Sequence, residues 1–194
     1  MTAERIGIGG GIFDPVHYGH LLLFNECAEQ LDLSRVLLIP AYSAVHKMQS
    51  AISDYVYRRS MVEIVSEGNE RFELCEIERE FGGPSYTIDT VRALKDRYSH
   101  AEFFFLVGLD NLEKMENWHK PDDILDEVNV VVGSRPVESL SQSPLYSGRV
   151  SFIEIPLLEI SSTHIRERVR HGRSIKYLVP EQIERYIRDH GLYR

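Results

Sequence analysis

The sequence predicts an α/β fold over residues 1–194: one domain built on a doubly wound parallel sheet, with further helices at the C-terminal end. Three observations carry this. Short continuous apolar runs at 5–8, 35–40, 103–107 and 128–133 read as buried strands. Segments with apolar residues at helical spacing separate them, and a glycine-rich turn joins the first strand to the first helix. No repeat, low-complexity tract or linker interrupts the chain.

In order, Arg5-Ile6-Gly7-Ile8 leads into Gly9-Gly10-Gly11-Ile12-Phe13-Asp14-Pro15-Val16-His17-Tyr18-Gly19-His20. The glycines are expected to let the backbone leave the strand in conformations that a Cβ would forbid. Pro15 fixes the turn and biases Asp14 away from helix. Leu21, Phe24, Cys27, Ala28 and Leu31 recur at helical spacing, so a helix starts near Tyr18 and places His17 and His20 on one face of its first turn. Amides and the positive end of the helix dipole meet there, which suits phosphate. The imidazoles add donors and, when protonated, charge.

Other glycine-rich sites fit less well. A dinucleotide fingerprint starting at Gly7 or Gly9 puts Ile12 or Asp14 where the third glycine belongs, and no acidic residue follows Ile39-Pro40-Ala41. The P-loop pattern is absent, and His17-x-x-His20 has no cysteine pair or H-E-x-x-H spacing to suggest zinc.

A second strand at 35–40 is followed by the loop Tyr42 to Lys47. A helix is expected from Asp54, a candidate N-cap, to Ser66. Polar and apolar residues alternate over 71–77, the mark of a strand with one wet face. Gly82-Gly83-Pro84-Ser85 is a loop, and Ser85 or Thr87 is expected to cap a helix reaching Tyr98, with Ile88, Val91 and Leu94 inward. Residues 103–107 form the most apolar strand and are placed centrally, ending in Gly108-Leu109-Asp110. A carboxylate there can take ribose hydroxyls or cap a helix. Residues 138–149 read as a surface loop and 152–155 as a last short strand. In Ile160-Ser161-Ser162-Thr163-His164-Ile165-Arg166, Ser161 or Ser162 caps a second helix whose first turn offers amides, hydroxyls and Arg166 to phosphate.

The first stretch resembles the G-G-[ST]-F-D-P-x-H-x-G-H signature of the nucleotidyltransferase superfamily. Residues 160–166 resemble its I-S-S-T-x-[IV]-R motif. Wording such as Gly83-Pro84-Ser85-Tyr86-Thr87 and Trp118-His119 is nearest that of the bacterial nicotinate-mononucleotide adenylyltransferases. The resemblance covers essentially the whole chain and implies the Rossmann-like nucleotidyltransferase fold. It also implies adenylyl transfer from ATP, with Mg²⁺, to nicotinate mononucleotide in NAD biosynthesis. His17, His20 and Arg166 then neutralise the transition state, and Gly10, Gly11, Ile12, Phe13, Ser161, Ser162, Thr163 and Arg135 line the ATP side. Asp14, His46, Lys47, Tyr86, Thr87, Gly108, Asp110, Trp118 and His119 line the mononucleotide side, Trp118 by stacking on the pyridine. No metal ligand set in the protein itself is expected. Ile12 departs from the signature's Ser or Thr, and Ala44 and Val45 replace two prolines of the family's P-x-x-x-P-P-H-K segment. Other acceptors, nicotinamide mononucleotide or phosphopantetheine, and a nucleotide-binding regulator are the alternatives.

Composition agrees with a compact enzyme. Apolar residues make up 43% and charged residues 27%, ordinary for a globular domain. A net charge of −8 argues against a general nucleic-acid binder, while eight Lys/Arg against four Asp/Glu from Ser161 onward make the tail basic. No apolar run approaches the roughly 20 residues that span a bilayer, and residues 1–5 open no signal peptide. A cytoplasmic location and reduced, buried Cys27 and Cys75 are therefore expected.

Overall fold

A computed structural model of the chain describes residues 3–43, 52–134, 145–156 and 158–194. Its sheet comprises β1 (Glu4–Gly11), β2 (Arg35–Pro40), β3 (Phe72–Leu74), β4 (Ala101–Gly108), β5 (Asn129–Gly133) and β6 (Val150–Ile153). All pairings are parallel, in the order β3-β2-β1-β4-β5-β6. The helices of the described residues are α1 (Tyr18–Gln30), α2 (Tyr55–Glu67), α3 (Ile77–Glu80), α4 (Thr87–Arg97), α5 (Leu109–Met115), α6 (Pro121–Glu127), α7 (Ser162–Arg170) and α8 (Glu181–Asp189).

Alternation along the strands sorts the helices onto two faces. Val36, Leu38, Phe104, Leu106 and Val131 pack with Phe24 and Cys27 of α1, Met61 and Val62 of α2, Ile165 of α7 and Ile183 of α8. Leu37, Ile39, Phe103, Phe105 and Val132 face the other way, onto Ile88 and Val91 of α4, Leu112 of α5 and Ile124 of α6. Both faces are covered, which is why the strands read as unbroken apolar runs. The expected doubly wound sheet is present, and β4 is central beside β1. Strand order reverses between these two, so a crevice opens at their C-terminal ends.

Several local expectations are corrected. The glycines do not release the chain from the strand: β1 continues through Gly11, which is in register with Pro40 of β2. At Gly7 and Gly9 the missing Cβ serves close approach. A Cβ on Gly9 would stand 2.8 Å from Phe24 Cζ, and one on Gly7 2.9 Å from Leu33 Cδ1. The left-handed residue of the turn is instead Phe13, at φ 53°, whose ring is buried against His20 and Phe24. The strand read over 71–77 stops at Leu74, because the chain turns Ile77 under the sheet in α3. Asp54 stands at the N-cap of α2, but its side chain makes no capping bond. Neither Ser85 nor Thr87 caps α4; Tyr86 is the N-cap, and its amide donates to the Asp89 carboxylate at 3.4 Å. The loop read over 138–149 lies outside the described residues as far as 144. Beyond that, Tyr146 is only 2% exposed and donates its hydroxyl to the Leu112 carbonyl at 2.8 Å. Cys27 and Cys75 are free and buried, and burial pushes the Cys27 thiol up to about 12.

Phe24 is wedged between Phe13 and Phe72 and has no room to swing away from an added methyl group on Gly9. Gly9→Ala is therefore expected to cost about 1–3 kcal/mol, the usual range for overpacking. Gly10→Ala, whose Cβ would meet nothing nearer than Phe105 Cε2 at 3.8 Å, is expected to unfold at the wild-type urea midpoint within error. Equal midpoints for the two variants would contradict the packing role.

Candidate active site

The crevice at the strand ends is a cleft of about 960 Å³, at the upper end of the range for small-molecule sites. One wall is the β1–α1 turn from Gly10 to His20, and beside it, hydrogen-bonded to it, stands the N-terminus of α7 with Ser161, Ser162, Thr163 and Arg166. A third side is made by Ser85-Tyr86-Thr87, Gly108, Asp110, Trp118 and His119, and a fourth by Gly133, Ser134 and the chain near Ile155 and Ile160. The two motifs separated by some 140 residues thus share one cavity. His46, Lys47 and Arg135 lie outside the described residues.

The phosphate side is built by long-range hydrogen bonds to the turn. Arg166 donates to the Asp14 carbonyl at 2.7 Å and to Thr163 Oγ1 at 3.3 Å. Ser162 Oγ donates to the Pro15 carbonyl at 2.8 Å. Ser161, not Ser162, is the N-cap of α7, its hydroxyl accepting from the His164 amide at 3.2 Å. Arg58 of α2, only 3% exposed, donates to the carbonyls of Ile12, Ala41 and Ser53 at 2.9, 2.8 and 2.9 Å. The carbonyls of Ile12, Asp14 and Pro15 are thereby matched to internal donors, so an incoming anion does not meet them as bare oxygens.

Asp14 lines the cleft, and each of its carboxylate oxygens accepts one bond from within the protein. Tyr193 Oη donates to Oδ1 at 2.7 Å and the Ser53 amide to Oδ2 at 3.1 Å, with the residue 1% exposed.

On the opposite side, Trp118 is half-buried and packs edge-on against Phe105, with ring centroids 6.1 Å apart. Tyr86 and His119 bring their rings to 4.3 Å. Thr87 is the first residue of α4, so the positive end of that helix faces the same side of the cleft. Asp110 lies exposed in the first turn of α5, 3.7 Å from Lys114. Glu78, missed by sequence reasoning, organises the region by accepting from Ser85 Oγ at 2.7 Å, Thr90 Oγ1 at 3.0 Å and the Tyr42 amide at 3.2 Å. Arg58 and Tyr193 were also missed. The only signal for Arg58 is an arginine on the helical stripe that Met61, Val62 and Val65 bury.

Comparison with known proteins agrees with this arrangement. Residues 8–168 match the cytidylyltransferase-like family. A protein of Bacillus pumilus named "Probable nicotinate-nucleotide adenylyltransferase" is 41% identical over 98% of this chain and 98% of its own. A Thermomicrobium roseum protein of the same name is 38% identical over 98% of this chain and 92% of its own. In fold, the chain is similar to Plasmodium falciparum nicotinic acid mononucleotide adenylyltransferase complexed with NaAD. That match has a TM-score of 0.83 and 19% identity, and covers 98% of this chain and 97% of the other.

The two imidazoles stack with centroids 3.7 Å apart and an interplanar angle of 21°. The His17 amide donates to His20 Nδ1 at 3.3 Å, so a neutral His20 carries its proton on Nε2 and acts as a donor from that atom. Burial pushes His17 down to about 4, and burial together with the neighbouring His17 holds His20 well below the usual value. Of the two modes read from the sequence, donor and cation, burial favours the neutral donor form.

The sign of the resulting pH effect is fixed. Below pH 6.5 the unfolded chain takes up a proton on His17 that the folded chain refuses until about pH 4. Stability present above 6.5 is lost as pH falls toward 4. The Tm of the unliganded protein is expected to fall across this window, and His17→Asn, which keeps a good N-cap residue, is expected to flatten the fall. An unchanged slope in that variant would remove His17 from the account.

Proposed function

The chain belongs to the cytidylyltransferase-like family, and we propose that it transfers the adenylyl group of ATP to nicotinate mononucleotide, releasing pyrophosphate and forming nicotinate adenine dinucleotide. The observation that carries this reading is the meeting of two helix N-termini, the stacked His17–His20 pair and Arg166 on one side of a cleft whose other side holds Trp118 and Tyr86. The first group of features suits a triphosphate, the second a flat ring.

A phosphate oxygen of the mononucleotide attacks the α-phosphorus of ATP, and the bond from that phosphorus to the bridging oxygen of the β-phosphate breaks. The electron pair leaves with pyrophosphate. The nucleophile is already ionised at neutral pH, so the reaction calls for positioning and charge stabilisation rather than a general base. His20 donates from Nε2 to the triphosphate, and Arg166 has further N–H groups beyond the two that bond to the Asp14 carbonyl and Thr163. An anion beside the imidazoles favours their protonated forms, so charge arrives with the substrate. Mg²⁺ enters as the ATP complex. Among the described residues no group of three or more His, Cys, Asp or Glu could hold a metal ion, and no helix is long and apolar enough to cross a membrane.

Selectivity for the acid follows from the N-terminus of α4, where a nicotinate carboxylate gains from the helix dipole and a neutral amide does not. With Mg-ATP, pyrophosphate release is expected to be faster with nicotinate than with nicotinamide mononucleotide. Equal rates would reject the acid-selective site, and silence with both would reject adenylyl transfer. His20→Ala is expected to lower kcat by about a hundredfold or more, the scale for losing one transition-state donor, with an unchanged circular dichroism spectrum. Turnover near the wild-type rate would exclude His20 from the chemistry.

A further inference from the structure

We propose that Tyr193, close to the end of the described chain, is a positioning residue for the phosphate-binding turn and acts through the carboxylate of Asp14. After α8 the chain reverses through Gly191, at φ 61°, and the Leu192 amide donates back to the Ile187 carbonyl at 3.0 Å. Leu192 and Tyr193 then pack on the core that holds α1 and α2. Tyr193 itself is left-handed at φ 65°, a conformation that a residue with a Cβ adopts only where its surroundings enforce it. From there its hydroxyl donates to Asp14 Oδ1 at 2.7 Å, across 179 residues of sequence. Burial and the adjoining carboxylate raise the phenol well above its usual range, so it stays a donor throughout the working pH range.

Asp14 is well placed to pass this on. It directly follows the left-handed Phe13 and stands three residues before His17. Its carbonyl is held by Arg166 of α7, its second carboxylate oxygen by the Ser53 amide, and the Arg58 charge of α2 lies close by. Remove the phenolic hydroxyl, and Oδ1 becomes a buried acceptor with no donor. The turn relieves that by shifting, and the backbone that sets His17 and His20 shifts with it. Reacting groups displaced by even about 1 Å can lose a hundredfold in rate. This inference rests on the proposal that residues 10–20 receive the triphosphate.

Tyr193→Phe in the full-length chain is the test, because it deletes one oxygen and keeps the packed ring. Amide hydrogen exchange over residues 12–20 is expected to rise several-fold, with β4 and β5 unchanged. The kcat is expected to fall about tenfold or more, while the KM for ATP moves less than about threefold. If the hydroxyl acts through Asp14, Tyr193→Phe will add less than twofold to whatever Asp14→Asn alone loses. Wild-type exchange over 12–20, a kcat within twofold of wild type, or losses that multiply in the double variant would each overturn the proposal. So would a Tyr193→Phe chain that melts as a whole instead of loosening at the turn. Should the wild-type protein make no dinucleotide, the functional reading fails, and the exchange pattern still decides whether Tyr193 holds the turn.

Discussion

Two hydrogen bonds join the parts of this molecule that chemistry needs together: Ser162 to the Pro15 carbonyl and Arg166 to the Asp14 carbonyl. They tie the N-terminus of α7 to the turn that opens α1, so two positive helix ends converge on one space. Neither helix could bring this about alone. The sheet order β3-β2-β1-β4-β5-β6 puts the crevice beside β1, and the length of chain from β6 to α7 lets the second motif return to it. The motifs are distant in sequence, but the topology leaves α7 few other places to dock its buried Ile165.

A site built for anions has an electrostatic difficulty, since clustered positive charge by itself destabilises the folded protein. Here the cluster is largely neutral. His17 and His20 are stacked and partly desolvated, which keeps them uncharged at pH 7, and the helix ends contribute partial charges only. Arg166 is permanently charged but rests against a carbonyl and a hydroxyl within the protein. Bringing a polyanion next to the imidazoles reverses the balance that holds them neutral, so binding and proton uptake are coupled. On the proposed reading, the site would gain cationic character only as the triphosphate arrives.

What the sequence disclosed was set by range. The α1 start, the central β4 and the Ser161 cap are encoded within a few residues, and all three are found in the structure. The glycines were misread because their spacing is visible in sequence but their neighbours are not. Nothing near Gly9 says that Phe24 will press against it. Arg58, Glu78 and Tyr193 were illegible for a related reason. Arg58 bonds to backbone carbonyls as far as 46 residues away, and any residue type supplies a carbonyl. Glu78 organises hydroxyls and an amide from three separate segments, and Tyr193 waits for a partner near the other end of the chain. Asp14 belongs to a recognisable signature, but its internal partners, Tyr193 and the Ser53 amide, lie too far along the chain to be read from it.

The same geometry gives a meaning to Ile12. Where the resembling signature has a serine or threonine, this chain has no hydroxyl to offer phosphate. The remaining hydroxyls of the phosphate side are partly committed, Ser162 to Pro15 and Thr163 to Arg166. On the proposed reading, that wall would rely on backbone amides and the imidazole of His20 more than on side-chain hydroxyls. Backbone donors are only as good as the placement of the backbone, and here that placement is fixed by Arg58 on the Ile12 carbonyl, Arg166 on that of Asp14, Ser162 on that of Pro15, and the bonds to the Asp14 carboxylate. A turn with Ile12 in place of a hydroxyl would, on the proposed reading, depend more heavily on the buried bonds behind it, and most of those come from elements remote in sequence.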